Sequence, residues 1–189
     1  MNIQQACKEQ APEIASLIME AMNYECCQNF AGPHHSLRDF YLCMVNLVGR
    51  EDSQYSYLNT EVATDDNGMV VGICVTYDGG DLYSLRQAFI DEAKLRFGMD
   101  YSDMGPETQS GELYVDSLCV HAEYRGQGIA TALLRSAIHK AAEYHIQAVG
   151  LLVDQGNPKA EQLYKKVGFR YVNDTEWGGH PMKHLVYTL

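Results

Sequence analysis

Two groups of residues in this chain could do chemistry side by side. The first is the loop Arg125-Gly126-Gln127-Gly128-Ile129-Ala130-Thr131, which follows an apolar run and opens at once into a helical pattern. N–H groups at the start of a helix lack carbonyl partners and sit at the positive end of the helix dipole, so such a junction holds an anion. Glycine at 126 and 128 lets a phosphate approach the backbone closely. The second group is Glu112, Tyr114 and Asp116, which alternate along one face of the run leading into that loop. The pattern places acidic groups close to a bound phosphate ester.

These residues need elements to position them. Strand spacing is expected at Ile3–Ala6, and helices at 12–22 and from Ser36 (as N-cap) through Val45. Residues 60–64 and 69–77 read as a hairpin turning at Asn67-Gly68. A helix over 81–97 stops at Gly98, and 99–111 is expected to be an acidic loop. Leu113–Val120 is a strand, 128–144 a helix with one apolar stripe, and Ala148–Val153 a strand apolar on both faces. Asn157-Pro158 opens a helix that Gly168 ends, and strands near Tyr171 and over 185–188 close the chain. Gly178–Met182 reads as a mobile loop entering the last strand.

At 189 residues and 46% hydrophobic, the chain is expected to form a single α/β domain over 1–189, with an inserted helix and acidic loop at about 78–111. A formal charge of −11 weighs against nucleic acid and anionic membranes and favours cationic ligands. No stretch approaches the roughly 20 apolar residues of a membrane span, and the first twenty residues do not read as a signal peptide. The six cysteines form no disulfide framework and read as reduced thiols of a cytoplasmic protein. Cys26-Cys27 and His34-His35 are too closely adjacent for a metal centre, and none is expected. Strict alternation puts Cys119 on the face opposite Asp116, which argues against a covalent cysteine intermediate.

A nucleotide P-loop would need Gly-Lys-Ser/Thr, and a dinucleotide fold would need Gly or Ala where Thr131 stands, with more chain after Asp154 than remains. Read as Arg125-x-x-Gly128-x-Ala130, the loop resembles the signature of the GNAT (GCN-related N-acetyltransferase) superfamily. The stretch from Asn157 through Ala160, Leu163, Tyr164, Gly168 and Phe169 resembles that family's second signature, Asn-x-x-Ala-x-x-Leu-Tyr-x-x-x-Gly-Phe. The resemblance is close over about 111–175, looser over 1–77, and carries nothing over to 78–111.

The resemblance implies a mixed, mostly antiparallel central sheet flanked by helices, with a splayed strand pair at the cofactor site. It implies acetyl-CoA as cosubstrate, its pyrophosphate held by Arg125, Gly126, Gln127, Gly128, Ile129, Ala130 and Thr131, and its pantetheine arm by the backbones of Leu118 and Val120. Asn157 would contact that arm and also cap its helix. Tyr164 would protonate the departing thiolate, or else pack in the core. Asp116 and Glu112 are the candidate bases, Glu112 acting through water, while Asp116 could also serve as a structural acceptor where the strands part. The implied activity is direct acetyl transfer to a primary amine in a ternary complex. A non-catalytic acyl-CoA-binding or sensing module is the alternative. The acid-rich segment from Asp78 to Asp116 favours a cationic small-molecule or peptide amine, and the protein is expected to be a monomer or homodimer.

Overall fold

The computed structural model describes residues 1–189. Seven strands, β1 (Asn2–Gln5), β2 (Thr60–Thr64), β3 (Val70–Asp78), β4 (Leu113–Val120), β5 (Ala148–Asp154), β6 (Arg170–Trp177) and β7 (His180–Thr188), form one sheet in the order β1-β2-β3-β4-β5-β7-β6. Every neighbouring pair is antiparallel except β4–β5. The helices are α1 (Ala11–Met22), α2 (Tyr24–Ala31), α3 (Leu37–Val48), α4 (Leu82–Phe97), α5 (Ile129–Glu143) and α6 (Pro158–Val167).

The helices cover the two faces unequally. Ile14, Ile18, Phe40, Met44, Leu47 and Phe89 from α1, α3 and α4 pack with Val62, Ile73 and Val75 in one core. Leu133, Leu134 and Ala137 of α5 pack with Cys74, Leu113, Val115, Val149, Leu151 and Phe169 in the other. Apolar residues on both faces of β3 and β5 follow from that enclosure. Local signals set the boundaries. Ser36 caps α3 and Asp39 answers it, and Gly98 ends α4 in the left-handed region at φ 66°.

Two irregularities shape the centre of the sheet. β4 and β5 pair only from Leu113–Val149 to Val115–Leu151, although both strands continue beyond. β4 stays bonded to β3 and β5 to β7, so a wedge opens between them. Opposite β3, Val75 faces Ser117 and Thr76 faces Val115, which leaves Asp116 as the extra residue of a β-bulge. The bulge breaks the alternation expected for β4. Val115 and Val120 both reach the α5 core, whereas Cys119 joins the α1–α4 core, on the side of Tyr77 and Asp116. Cys119 is therefore not opposite Asp116.

Other differences from expectation are local. The sequence does not signal α2: its composition is polar, and Asn23, at φ 65°, both ends α1 and caps α2. The glycines at 178 and 179, at φ 58° and 80°, form a two-residue hairpin turn rather than a mobile loop, because both can adopt positive φ. Strands β6 and β7 accordingly run up to Trp177 and from His180.

Candidate active site

The wedge leads into two cavities. The larger, about 770 Å³, runs along the 125–131 loop and is lined by Gly126, Gly128, Ile129, Ala130 and Thr131 on one side and Lys159, Leu163 and Lys166 on the other. Gly126 and Gly128 lie at φ 77° and 83°, and a Cβ on either would meet nothing within 4 Å, so the backbone itself is open to a ligand. The amides from Gly126 to Thr131 have no carbonyl partner in the chain, and the bond Ala132 N–H to Gly128 O is where the ladder of α5 begins. This is an anion cradle built of N–H groups at a helix start. It fits a pyrophosphate.

The cradle differs from expectation at three residues. Arg125 lines the groove, but its amide donates to Ala122 O and its side chain turns away, with Nε on Val120 O at 2.9 Å and the guanidinium paired with Glu20. Gln127 is exposed outside the groove. His121 N–H donates to Val71 O, so by alternation Leu118 and Val120 turn their backbones toward the wedge. The Val120 carbonyl, however, is already taken by Arg125.

The smaller cavity, about 260 Å³, lies beyond the wedge and is lined by Tyr55, Glu107, Tyr114, Asp116, Trp177 and His180 among others. Leu118, Asn157, Ala160 and Tyr164 line both cavities and mark their junction. Asn157 Oδ1 also accepts from Ala160 N at 3.2 Å, so it holds the start of α6 while facing both spaces. Tyr164 packs edge-on against Phe169, and burial pushes its phenol up to about 12. It is a neutral donor throughout the physiological range.

The floor of the smaller cavity is polar and largely buried. Asp116 accepts from Ser117 Oγ (2.9 Å), Gln54 Nε2 (3.0 Å) and Tyr77 OH (3.0 Å). Glu107 pairs with Arg86 at 2.8 Å, both side chains buried, and Trp177 lies with its ring 5.0 Å from the Arg86 guanidinium. Burial first, then the Asp116 charge, pushes the Glu107 carboxyl up to about 7 against the opposing pull of Arg86. Burial likewise raises Asp116, while its hydrogen bonds and Arg86 hold it down. Three tyrosines (Tyr55, Tyr77 and Tyr114) are raised well above 10 by burial and remain neutral. The sequence marks Glu107 only as one acid of the acidic segment and Arg86, Gln54 and Tyr55 not at all, because no motif covers these four residues and their convergence depends on packing between distant parts of the chain.

Glu112 is placed elsewhere. Its carboxylate is buried over Gly150, accepts from Thr108 Oγ1 at 2.7 Å, and meets His184 Nε2 at 2.9 Å. It lines neither cavity, and its distance from the junction follows from lying below the point where β4 and β5 part. Of the acid-rich segment, only Glu107 and Asp116 reach the smaller cavity. Asp100 pairs with Lys94, Glu92 pairs with Arg96, and Asp91 and Asp103 are exposed. Cys26 and the His34-His35 pair do not converge into a group of three or more metal-ligating side chains.

Comparison with known proteins agrees with this geometry. A model of the acetyltransferase (GNAT) family matches residues 19–169. One solved acetyltransferase is 26% identical with a TM-score of 0.83, covering 100% of this chain and 99% of that one. An N-acetyltransferase from Staphylococcus aureus Mu50 is 25% identical with a TM-score of 0.82, covering 99% and 100%. Mycothiol acetyltransferase from Propionibacterium freudenreichii subsp. shermanii is 32% identical over 95 residues, which are 49% of this chain but only 30% of that protein. With a family match across most of its length and a sheet that parts where the unpartnered amides begin, the chain belongs to the GNAT acetyltransferase family, whose members transfer acyl groups from acyl-CoA.

Proposed function

We propose that this protein transfers the acetyl group of acetyl-CoA directly to a small cationic primary amine. The observation that carries the reading is the meeting of a phosphate cradle and an acidic cavity at Tyr164, where a thioester and an amine would be neighbours. Pyrophosphate bonds to the amides of 126–131, and the pantetheine arm runs through the wedge against the backbone of Leu118. Lys159 and Lys166 add positive charge to the groove of an otherwise acidic chain.

The amine enters from the smaller cavity. At about 260 Å³ that space is below the roughly 300–1,000 Å³ of ordinary ligand pockets, which favours a compact acceptor. Its inner end carries two carboxylates and one guanidinium, so an ammonium is favoured there and a carboxylate is not. An alkylamine of pKa about 10 arrives protonated and must lose a proton before attack. Tyr164 then hydrogen-bonds the departing sulfur. A phenol held near 12 does not release its proton readily, but the same burial raises a thiol beside it, and the proton leaving the new amide nitrogen replaces the one given up.

The test compares CoA release with 1,4-diaminobutane and with 4-aminobutanoate, amines of matched length. The diamine should show kcat/KM about tenfold higher or more, falling as salt rises because exposed charge is screened over about 10 Å at 0.1 M. Preference for the anionic amine would rule out a cationic acceptor, and kinetics indifferent to salt would rule out its recruitment by exposed charge. Binding of acetyl-CoA with no turnover of any primary amine would instead identify a sensing module.

A further inference from the structure

We propose that Glu107, carried by the segment between α4 and β4, is the catalytic base that takes the proton from the incoming ammonium, and that Asp116 beside it is not. The inference rests on the amine-transfer reading above.

The two carboxylates differ in what their oxygens already do. Both Asp116 oxygens are engaged, Oδ1 by Ser117 and Oδ2 by Gln54 and Tyr77. Glu107 is bound through one oxygen only: Oε1 accepts from Arg86 Nη2 at 2.8 Å and lies 3.5 Å from Gln54 Nε2. Oε2 receives nothing from the protein, although the residue is only 8% exposed and lines the cavity. Arg86 also donates from Nη1 to Met104 O (3.3 Å) and Gly105 O (2.8 Å), so one buried guanidinium fixes both the carboxylate and the backbone that carries it. The free oxygen is thus held in place without being occupied.

The surroundings tune this group for neutral pH. Facing it are Arg86 from α4, Asp116 and Tyr114 from β4, Tyr77 from β3, Gln54 and Tyr55 from the segment after α3, and Cys26 from α2. Burial and the Asp116 charge raise it, Arg86 lowers it, and the balance near 7 suits a base that must accept and release a proton in each cycle. In the step, an N–H bond of R–NH3⁺ breaks and its proton passes to Oε2. The freed lone pair forms the N–C bond to the thioester carbonyl, and the C–S bond breaks with the electron pair on sulfur. The second nitrogen proton reaches that sulfur by way of the Tyr164 hydroxyl, and Glu107 returns its proton to solvent. The sum is R–NH3⁺ plus acetyl-CoA giving the acetamide, CoA thiol and H⁺.

The experiment measures pH–rate profiles with acetyl-CoA and, as probe amines, n-butylamine and 1,4-diaminobutane. Glu107→Gln keeps an oxygen for Arg86 but cannot take the proton. It should lower kcat by roughly 10²–10⁴ at pH 7, leave KM for acetyl-CoA nearly unchanged, and abolish the rise in rate between about pH 6 and 8. Asp116→Asn should keep that rise and move it to lower pH, because a like charge beside Glu107 is gone. If Glu107→Gln does not fold, Asp116→Asn decides alone: a shifted limb supports Glu107, and a lost limb overturns it. A wild-type profile in Glu107→Gln overturns the base assignment only. No amine-dependent CoA release by the wild-type protein overturns the transfer reading itself.

Discussion

At the scale of single residues, the site works by leaving particular polar groups without partners. Tyr164 has a ring fixed against Phe169 and a hydroxyl that no protein group engages. Tyr164→Phe should therefore change stability by less than about 0.5 kcal/mol, since neither packing nor a hydrogen bond is lost. It should lower kcat by roughly 10²–10⁴ if the hydroxyl serves the departing sulfur. An unchanged kcat in a folded variant would return Tyr164 to the core. Glu112 is the contrasting case, a carboxylate with partners on several sides. A Cβ at Gly150 would lie 2.2 Å from Glu112 Oε2, so Gly150→Ala should displace that carboxylate from His184 and Thr108. The expected loss is about 2–4 kcal/mol, combining overpacking with a broken buried hydrogen bond, as read by urea denaturation. Glu112→Gln should likewise leave the pH–rate profile in place, whereas loss of its alkaline rise would make Glu112 the base after all.

Among the elements, the junction of β4, its loop and α5 does most to create the groove. Where the chain enters α5 through two glycines at positive φ, six consecutive amides, 126–131, are left without carbonyl partners. Gly128→Glu would place a side chain and a negative charge beside them. It should abolish calorimetric binding of CoA in a protein that still folds, and unaltered affinity would move the pyrophosphate elsewhere. This junction was legible from the residues alone, since glycine spacing and the helix start are local signals, and Asn157 through Phe169 were readable for the same reason. The bulge at Asp116 was not. Whether a strand alternates strictly depends on its partner's register, and nothing in Glu112–Val120 announces the extra residue that carries Cys119 to the side of Asp116. The segment 78–111 was legible as a helix and an acidic loop, but not as part of the floor of the smaller cavity. Which of its acids turn inward is decided by Arg86, 21 positions before Glu107 and buried with it.

For the whole molecule, one sheet with unequal helical layers explains both what is inert and what is reactive. Burial pushes the thiols of Cys27, Cys43 and Cys119 up to about 12, and that of Cys74 higher still. A thiolate reagent at pH 8 should therefore label Cys7, which is exposed, rapidly in the native protein, Cys26 slowly, and all six only after denaturation. Fast labelling of four or more native thiols would contradict the packing of both cores. Acetyl-CoA should slow the labelling of Cys26, which lines the cavity beyond the wedge. On the proposed function, the acyl donor sits in the open part of the sheet and on the amides beside it. Backbone hydrogen–deuterium exchange, with and without saturating acetyl-CoA, addresses it most directly, because amides without partners exchange freely until a ligand bonds to them. Fast exchange is expected at Gly126–Thr131 in the free protein, with marked slowing there and at Leu118 when acetyl-CoA is added. Unchanged exchange across those residues, with protection appearing elsewhere, would contradict that placement.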